Sequence, residues 1–215
     1  EIDGLTHDSW LECRFVSHWD ESGKVAGLRG VLRDVTQTYL QEKQISHMAL
    51  HDALTELPNR VLLEDRFKVA LRLASRTVHK VGVCFIDLDH FKNINDTLGH
   101  KVGDRLLQAF SEVLKTQLRA GDTLARWGGD EFVLLLPDMQ SEGSIRETIK
   151  KVREVMQSPL QVDGADLSVT FSMGVAIYPD DGEEVEALFS EADRAMFYAK
   201  SQGRNQVCFF SDMTS

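Results

Sequence analysis

Apolar and polar positions alternate with period two at the start of the chain. Ser9 to Trp19 (SWLECRFVSHW) and Val25 to Val35 (VAGLRGVLRDV) each read as a half-buried strand, with a turn at Asp20 to Lys24 (DESGK). The hairpin they predict is too small to be stable alone. Residues 37–51 (QTYLQEKQISHMALH) carry an incomplete apolar stripe of Leu40, Ile45 and Met48. This predicts a helix that Thr36 can cap. It needs a partner: packing on a neighbouring domain and pairing with its copy in a second chain both suit it. Pro58 breaks the pattern, and Asn59 can cap a second helix running to about Arg76.

The period then changes repeatedly. Lys80 to Asp87 (KVGVCFID) is a continuous apolar run, as expected of a central strand. Val102 to Leu118 is amphipathic, with Val102, Leu106, Phe110, Val113 and Leu114 on one side of a helix. Next come RAGDTLARW, then Gly128-Gly129, Asp130-Glu131, and FVLLL closed by Pro137. Two apolar-rich runs joined through Gly-Gly predict a β-hairpin with its bend at the glycines. Helices follow at 144–157 and 185–202. Strands are expected at 160–162 and 167–178 around an Asp163-Gly164 turn, and at 206–210. The order β-α-β-β-α-β with additions predicts an α+β, ferredoxin-like domain. Its central sheet is expected to be antiparallel, with helices on one face. The chain thus divides into a hairpin (1–36), a linker helix (37–51) and a domain (52–215).

Composition narrows the function classes. The 215 residues carry a net charge of −10 and no block of Lys or Arg, which argues against a nucleic-acid polymer or an anionic membrane as partner. Cys13, Cys84 and Cys208 are odd in number and widely spaced, with no zinc pattern; they read as reduced thiols of a cytoplasmic protein. No run reaches the roughly 18–20 apolar residues that span a bilayer. The chain starts in what reads as mid-domain, as an excised piece would, so membrane tethering of a longer chain stays open.

Three groups of residues carry candidate chemistry, each beside a plainer reading. Asp87 ends the central strand and Asp130 follows the glycine bend; both suit a turn or a solvated charge. In a sheet of this plan they can instead meet across two strands and hold Mg²⁺, which takes one or two carboxylates plus substrate phosphates. Asp89 is assigned a structural role. Asn95 and Asp104 offer the donor and acceptors that read a guanine edge, or are ordinary loop and helix-start residues. Lys200 and Arg204 flank a helix end, where cations are favoured with or without a phosphate.

Five motifs occur in order: HDALTELPNR, FIDLDHFKNINDTLGHKVGD, RWGGDEF, FSMGVAIYP and ADRAMFYAKSQGRN. Together they resemble the GGDEF family of diguanylate cyclases over about residues 47–211. The resemblance implies a palm-like catalytic domain that condenses two GTP into cyclic di-GMP and releases two pyrophosphates. It implies divalent metal, Mg²⁺ or Mn²⁺, held by Asp87, the Leu88 carbonyl and Asp130. It further implies catalytic roles for Asp130 and Glu131, and GTP contacts from Lys92, Asn95, His100, Asp104, Gly128, Gly129, Lys200 and Arg204. Two bonds form between two nucleotides, so a homodimer is implied. Arg119 and Asp122 match an RxxD pattern, nine residues before Gly128, that marks product inhibition in the family. Glu56 departs from the family pattern, standing where Gly is usual in LTxLPNR. Gly30 to Thr36 (GVLRDVT) resembles the end of a PAS sensor domain, and the last residues resemble a junction to a following phosphodiesterase-type domain.

Overall fold

The computed structural model describes residues 9–213. The chain divides between Ala49 and Leu50 into two compact units.

In the first unit β1 (Leu11–Trp19) and β2 (Val25–Asp34) pair antiparallel, from Leu11 opposite Asp34 to Trp19 opposite Val25. Asp20 closes the turn by accepting from the Ser22 and Lys24 amides at 2.9 and 3.0 Å. Helix α1 (Thr36–Leu50) follows. Thr36 does not cap it as expected. Its hydroxyl accepts from the Trp10 amide at 2.8 Å, and Asp34 accepts from the Thr36 amide at 2.9 Å instead. Trp10 stacks on Tyr39 with ring centroids 4.0 Å apart, which ties hairpin to helix. Phe15, Val16, Leu28 and Val31 of the hairpin and Leu40, Ile45 and Met48 of α1 are exposed.

The second unit runs through α2 (Arg60–Thr77), β3 (Lys80–Leu88), α3 (Phe91–Leu98), α4 (His100–Lys115), β4 (Thr123–Gly128) and β5 (Glu131–Met139). It continues with α5 (Glu142–Val155), β6 (Leu160–Val162), β7 (Ala165–Leu167), β8 (Phe171–Tyr178), α6 (Val185–Ser201), β9 (Val207–Phe209) and α7 (Phe210–Met213). The main sheet has the order β4-β5-β3-β8-β9. Its first four strands pair antiparallel and carry the ferredoxin-like order, with β3 in the middle. Strand β9 joins β8 in parallel, with α6 as the crossover, so the sheet is mixed rather than antiparallel throughout.

Both faces of the sheet are covered. Leu106, Phe110 and Leu114 of α4 and Ile145, Ile149 and Val152 of α5 pack on Ile86, Leu134 and Val175. Leu63 and Phe67 of α2 and Leu188, Ala192 and Met196 of α6 pack on Val83, Val133 and Ala176. Helices on one face is therefore correct only for the β-α-β-β-α-β core, because the additions cover the other face. Double burial is also why β3 reads as an unbroken apolar run. Asn59 caps α2, accepting from the Leu62 amide at 3.2 Å. The expected strand 167–178 is split: β6 and β7 form the small hairpin, and β8 begins at Phe171.

Candidate functional site

The hairpin of β4 and β5 forms, but its turn is Gly129–Asp130, one residue later than expected. Gly128 is still paired, opposite Glu131, and the register shifts between Arg126 and Gly128. Of the two glycines only Gly129 has positive φ, at 52°. No other group lies within 4 Å of where a Cβ would stand on either glycine, so the outside of the bend is open. Two side chains brace it. Trp127 packs edge-on against Phe85 with the Arg60 guanidinium 4.3 Å from its ring centre. Arg126 donates from Nη2 to the Gly129 carbonyl at 2.8 Å and from Nη1 to the Asp52 carboxylate at 3.0 Å. No spacing rule links residues 52 and 126, and sequence reading missed this clamp. Burial pushes the Asp52 carboxyl up, but hydrogen bonds from Thr55 and the Arg126 charge outweigh it and hold it below the usual range.

The acids gather at the end of β3 beside this turn. Asp87 stands opposite Glu131 in the ladder, and the Leu88 amide donates to the Asp130 carbonyl at 3.3 Å. Asp87 is 8% exposed; Asp130 and Glu131 are half-buried. Burial first, then the neighbouring carboxylates of Asp130 and Asp89, push the Asp87 pKa up, against the opposing pull of Lys200. Burial also raises Glu131, helped by the charges of Asp87 and Asp130. Acids whose pKa values are raised by burial and by neighbouring carboxylates, as Asp87 and Glu131 are, make a donor set that a divalent cation relieves. Among the described residues no three metal-binding side chains are already gathered as a cage. The residues fit an ion completed by substrate oxygens. Lys200 Nζ meets Asp87 Oδ2 at 2.7 Å, so the cation expected at phosphates is held by an acid.

Asp104 lies near the start of a helix as expected, and Asn95 lies on a second helix rather than in a loop. Gly99, at φ 87°, separates α3 from α4. Phe91 and Ile94 anchor α3 to the core, a stripe too short to stand out among polar neighbours. The Asn95 amide fills the space that a Cβ on Gly103 would take, which sets it beside the residue preceding Asp104. Lys92 and His100 are exposed, near the start of α3 and at the start of α4. Arg204 is exposed on the turn after α6, at φ 65°. Arg119 donates from Nε to Asp122 at 2.9 Å, and its Nη2 reaches the Pro137 carbonyl. The pair lies ahead of β4, its Asp122 side chain buried and its Arg119 side chain about half-exposed.

The sequence profile described as "Diguanylate cyclase, GGDEF domain" matches residues 49–206. The chain is 44% identical over 168 residues to the bifunctional diguanylate cyclase/cyclic di-GMP phosphodiesterase MucR of Pseudomonas aeruginosa, covering 78% of this chain and 24% of MucR. It is 40% identical over 203 residues to the cyclic di-GMP phosphodiesterase NbdA of the same species, covering 94% of this chain and 25% of NbdA. The match therefore spans about a quarter of each of these longer relatives. Among solved structures, the GGDEF domain of P. aeruginosa TpbB superposes with a TM-score of 0.72 at 40% identity, covering 74% of this chain and 93% of that one. The coiled coil and GGDEF domain of DgcB from Caulobacter crescentus, in complex with c-di-GMP, gives 0.72 at 27% identity, covering 81% and 93%. The order of strands, the acid cluster and these matches agree: the chain belongs to the diguanylate cyclase GGDEF domain family.

Proposed function

We propose that the chain is a working diguanylate cyclase domain, condensing two GTP into cyclic di-GMP with release of two pyrophosphates. The observation that carries this is the placement of Asp87 opposite Glu131 on paired strands, beside Asp130 in the turn, with the pKa values of Asp87 and Glu131 both raised. Asp87, the Leu88 carbonyl and Asp130 would hold Mg²⁺ or Mn²⁺. Such an ion neutralises triphosphate and developing transition-state charge.

The chain's own groups do the rest. Asn95 and Asp104 read the guanine edge, the acid accepting from N1–H and the exocyclic amine. Lys92, His100 and Arg204 take phosphate oxygens. Lys200, which neutralises Asp87, can shift toward an arriving phosphate. The open bend at Gly128 and Gly129 admits the phosphates past the backbone. Asp130 and Glu131 are read as the acids that take the proton of the attacking 3′-hydroxyl; burial and the neighbouring carboxylates raise Glu131, the direction that favours proton acceptance. Each domain holds one nucleotide, so two chains must face each other, and proximity is the control variable. Residues 1–36 are read as the end of a PAS-like sensor and 37–51 as the linker through which it sets pairing. Arg119 and Asp122 are read as a site where product shuts the enzyme off.

The test is incubation with GTP and Mg²⁺ and analysis of products, with and without added cyclic di-GMP. Wild type yields the cyclic dinucleotide and pyrophosphate, and Asp130→Ala loses at least about 100-fold. Arg119→Ala keeps its turnover and loses inhibition by product. No dinucleotide from wild type sinks the reading. A second reading, a nucleotide-binding module without turnover, is favoured by the alignment of 94% of the chain with a protein named a phosphodiesterase. The intact acids weigh against it.

A further inference from the structure

Asp89 is one of the most deeply buried acids of the domain, 5% exposed, and no cation pairs with it among the described residues. Three donors stabilise it instead. Thr170 Oγ1 and the Asn205 amide donate to Oδ2 at 2.8 and 3.0 Å, and Ser172 Oγ donates to Oδ1 at 2.7 Å. Two of these donors belong to β8 and the segment before it. The third belongs to the turn after α6, where Gly203, Arg204 and Asn205 have φ of 110°, 65° and 49° in succession. Side chains other than glycine rarely adopt that region, so two such residues in a row persist only where the surroundings hold them. The Arg204 amide donates to the Ala199 carbonyl at 3.1 Å, and the Asn205 amide donates to Asp89. Between these two bonds the Arg204 guanidinium is exposed and has no partner among the described residues. Lys200, one turn earlier, is tied to Asp87. Two acids two residues apart, at the end of β3 and just past it, therefore hold the Lys200 side chain and the backbone of the turn that carries Arg204.

We infer that Asp89 is a positioning residue: its buried carboxylate builds the left-handed turn that presents Arg204 to the phosphates of the nucleotide. This rests on reading the site as a GTP site. Asp89 touches no substrate; it acts through Arg204. Losing it changes recognition of the phosphates and spares recognition of the base.

The experiment measures binding of the α,β-methylene analogue of GTP, with Mg²⁺, and of guanosine. The proteins are wild type, Asp89→Asn, Arg204→Ala and the double variant, each checked by thermal melting. Asp89→Asn is expected to weaken the triphosphate analogue about tenfold, to leave guanosine within about twofold, and to add no loss in the Arg204→Ala background. In turnover the same change raises KM for GTP more than it lowers kcat. Equal loss for both ligands, or losses that multiply with Arg204→Ala, overturns the inference. If Asp89→Asn does not fold, Thr170→Val removes one donor from the same oxygen. It should weaken the analogue about two- to threefold with guanosine unchanged, and wild-type affinity in that variant overturns the inference. A wild type that binds no analogue overturns the GTP reading and this inference with it. A wild type that binds while Asp89→Asn binds equally well overturns this inference alone.

Discussion

At the scale of the residue, Glu56 shows what a single departure from a family pattern costs. It stands where Gly is usual, and the backbone there is left-handed, at φ 55°. The loop shape survives because the Glu56 amide donates to the Asp52 carbonyl at 2.9 Å and the Asp52 amide to the Leu57 carbonyl at 2.8 Å. A non-glycine residue pays about 1–2 kcal/mol for this region, partly offset because glycine is freer in the unfolded chain. Glu56→Gly should stabilise the domain by up to about 1 kcal/mol, and Glu56→Val, with a branched Cβ, should destabilise it by about 1 kcal/mol or more. Urea midpoints in the order Gly, Glu, Val check this, and identical midpoints rule it out. Asp181 makes a second case. Burial, then the charges of Asp180, Glu142 and Glu191, raise its pKa above 3.8 despite a hydrogen bond from the Ile177 amide at 2.8 Å. A raised acid binds its proton more tightly folded than unfolded. Its stability contribution is fully present below pH 3.8 and is lost as pH rises through the folded value. Asp181→Asn keeps an acceptor for Ile177 and loses the charge. It should melt higher than wild type at pH 7, with the gain vanishing below about pH 3.8; a gain that persists in acid contradicts the assignment.

At the scale of the element, helix α6 lies directly on β8. A Cβ at Gly174 would fall on the Met196 amide nitrogen and the Ala192 carbonyl oxygen of α6, both backbone atoms that cannot rotate aside. That close approach lets Ala192 and Met196 seal one face of the sheet while carrying Lys200 to Asp87. Gly174→Ala must push the whole helix outward, a cost of about 3 kcal/mol or more. Because the same shift moves Lys200 and the turn beyond it, the affinity of any folded fraction for GTP should fall as well. Unchanged stability by chemical denaturation would show that the helix stands off the strand. The element missed in the sequence, α3, has a related lesson. Among the described residues Phe91 and Ile94 hold it to the core, and Gly99 is what frees the chain to start α4 immediately afterwards. A short helix made mostly of polar residues leaves no periodic stripe to read.

At the scale of the molecule, the two units differ in how much apolar surface they cover. The second encloses a double-faced core. The first leaves Phe15, Val16, Leu28 and Val31, and the α1 side chains Leu40, Ile45 and Met48, exposed. If α1 sets the pairing of two chains, a chain beginning at Asp52 should lose specific activity at low protein concentration and recover it at high concentration. Specific activity that matches the longer chain at every dilution would remove the linker from the mechanism.

The sequence alone determined the elements whose pattern is strong: the central strand β3, the amphipathic α4, the β4–β5 hairpin, and the family to which five ordered motifs belong. For Asp87 and Asp130 it offered two readings, a turn or solvated charge and a meeting across two strands, and did not decide between them. Tertiary structure decided the rest. The turn slipped one residue, to Gly129–Asp130, because Gly128 pairs with Glu131. Helices covered both faces because α2 and α6 found the apolar surface that the core motif leaves bare. Lys200 turned to Asp87, Arg126 to Asp52, and Asp89 to Asn205, pairs separated by long stretches of chain. Such pairs follow from where the folded backbone brings buried charges and donors together, and a buried charge must find its partner wherever the fold supplies one.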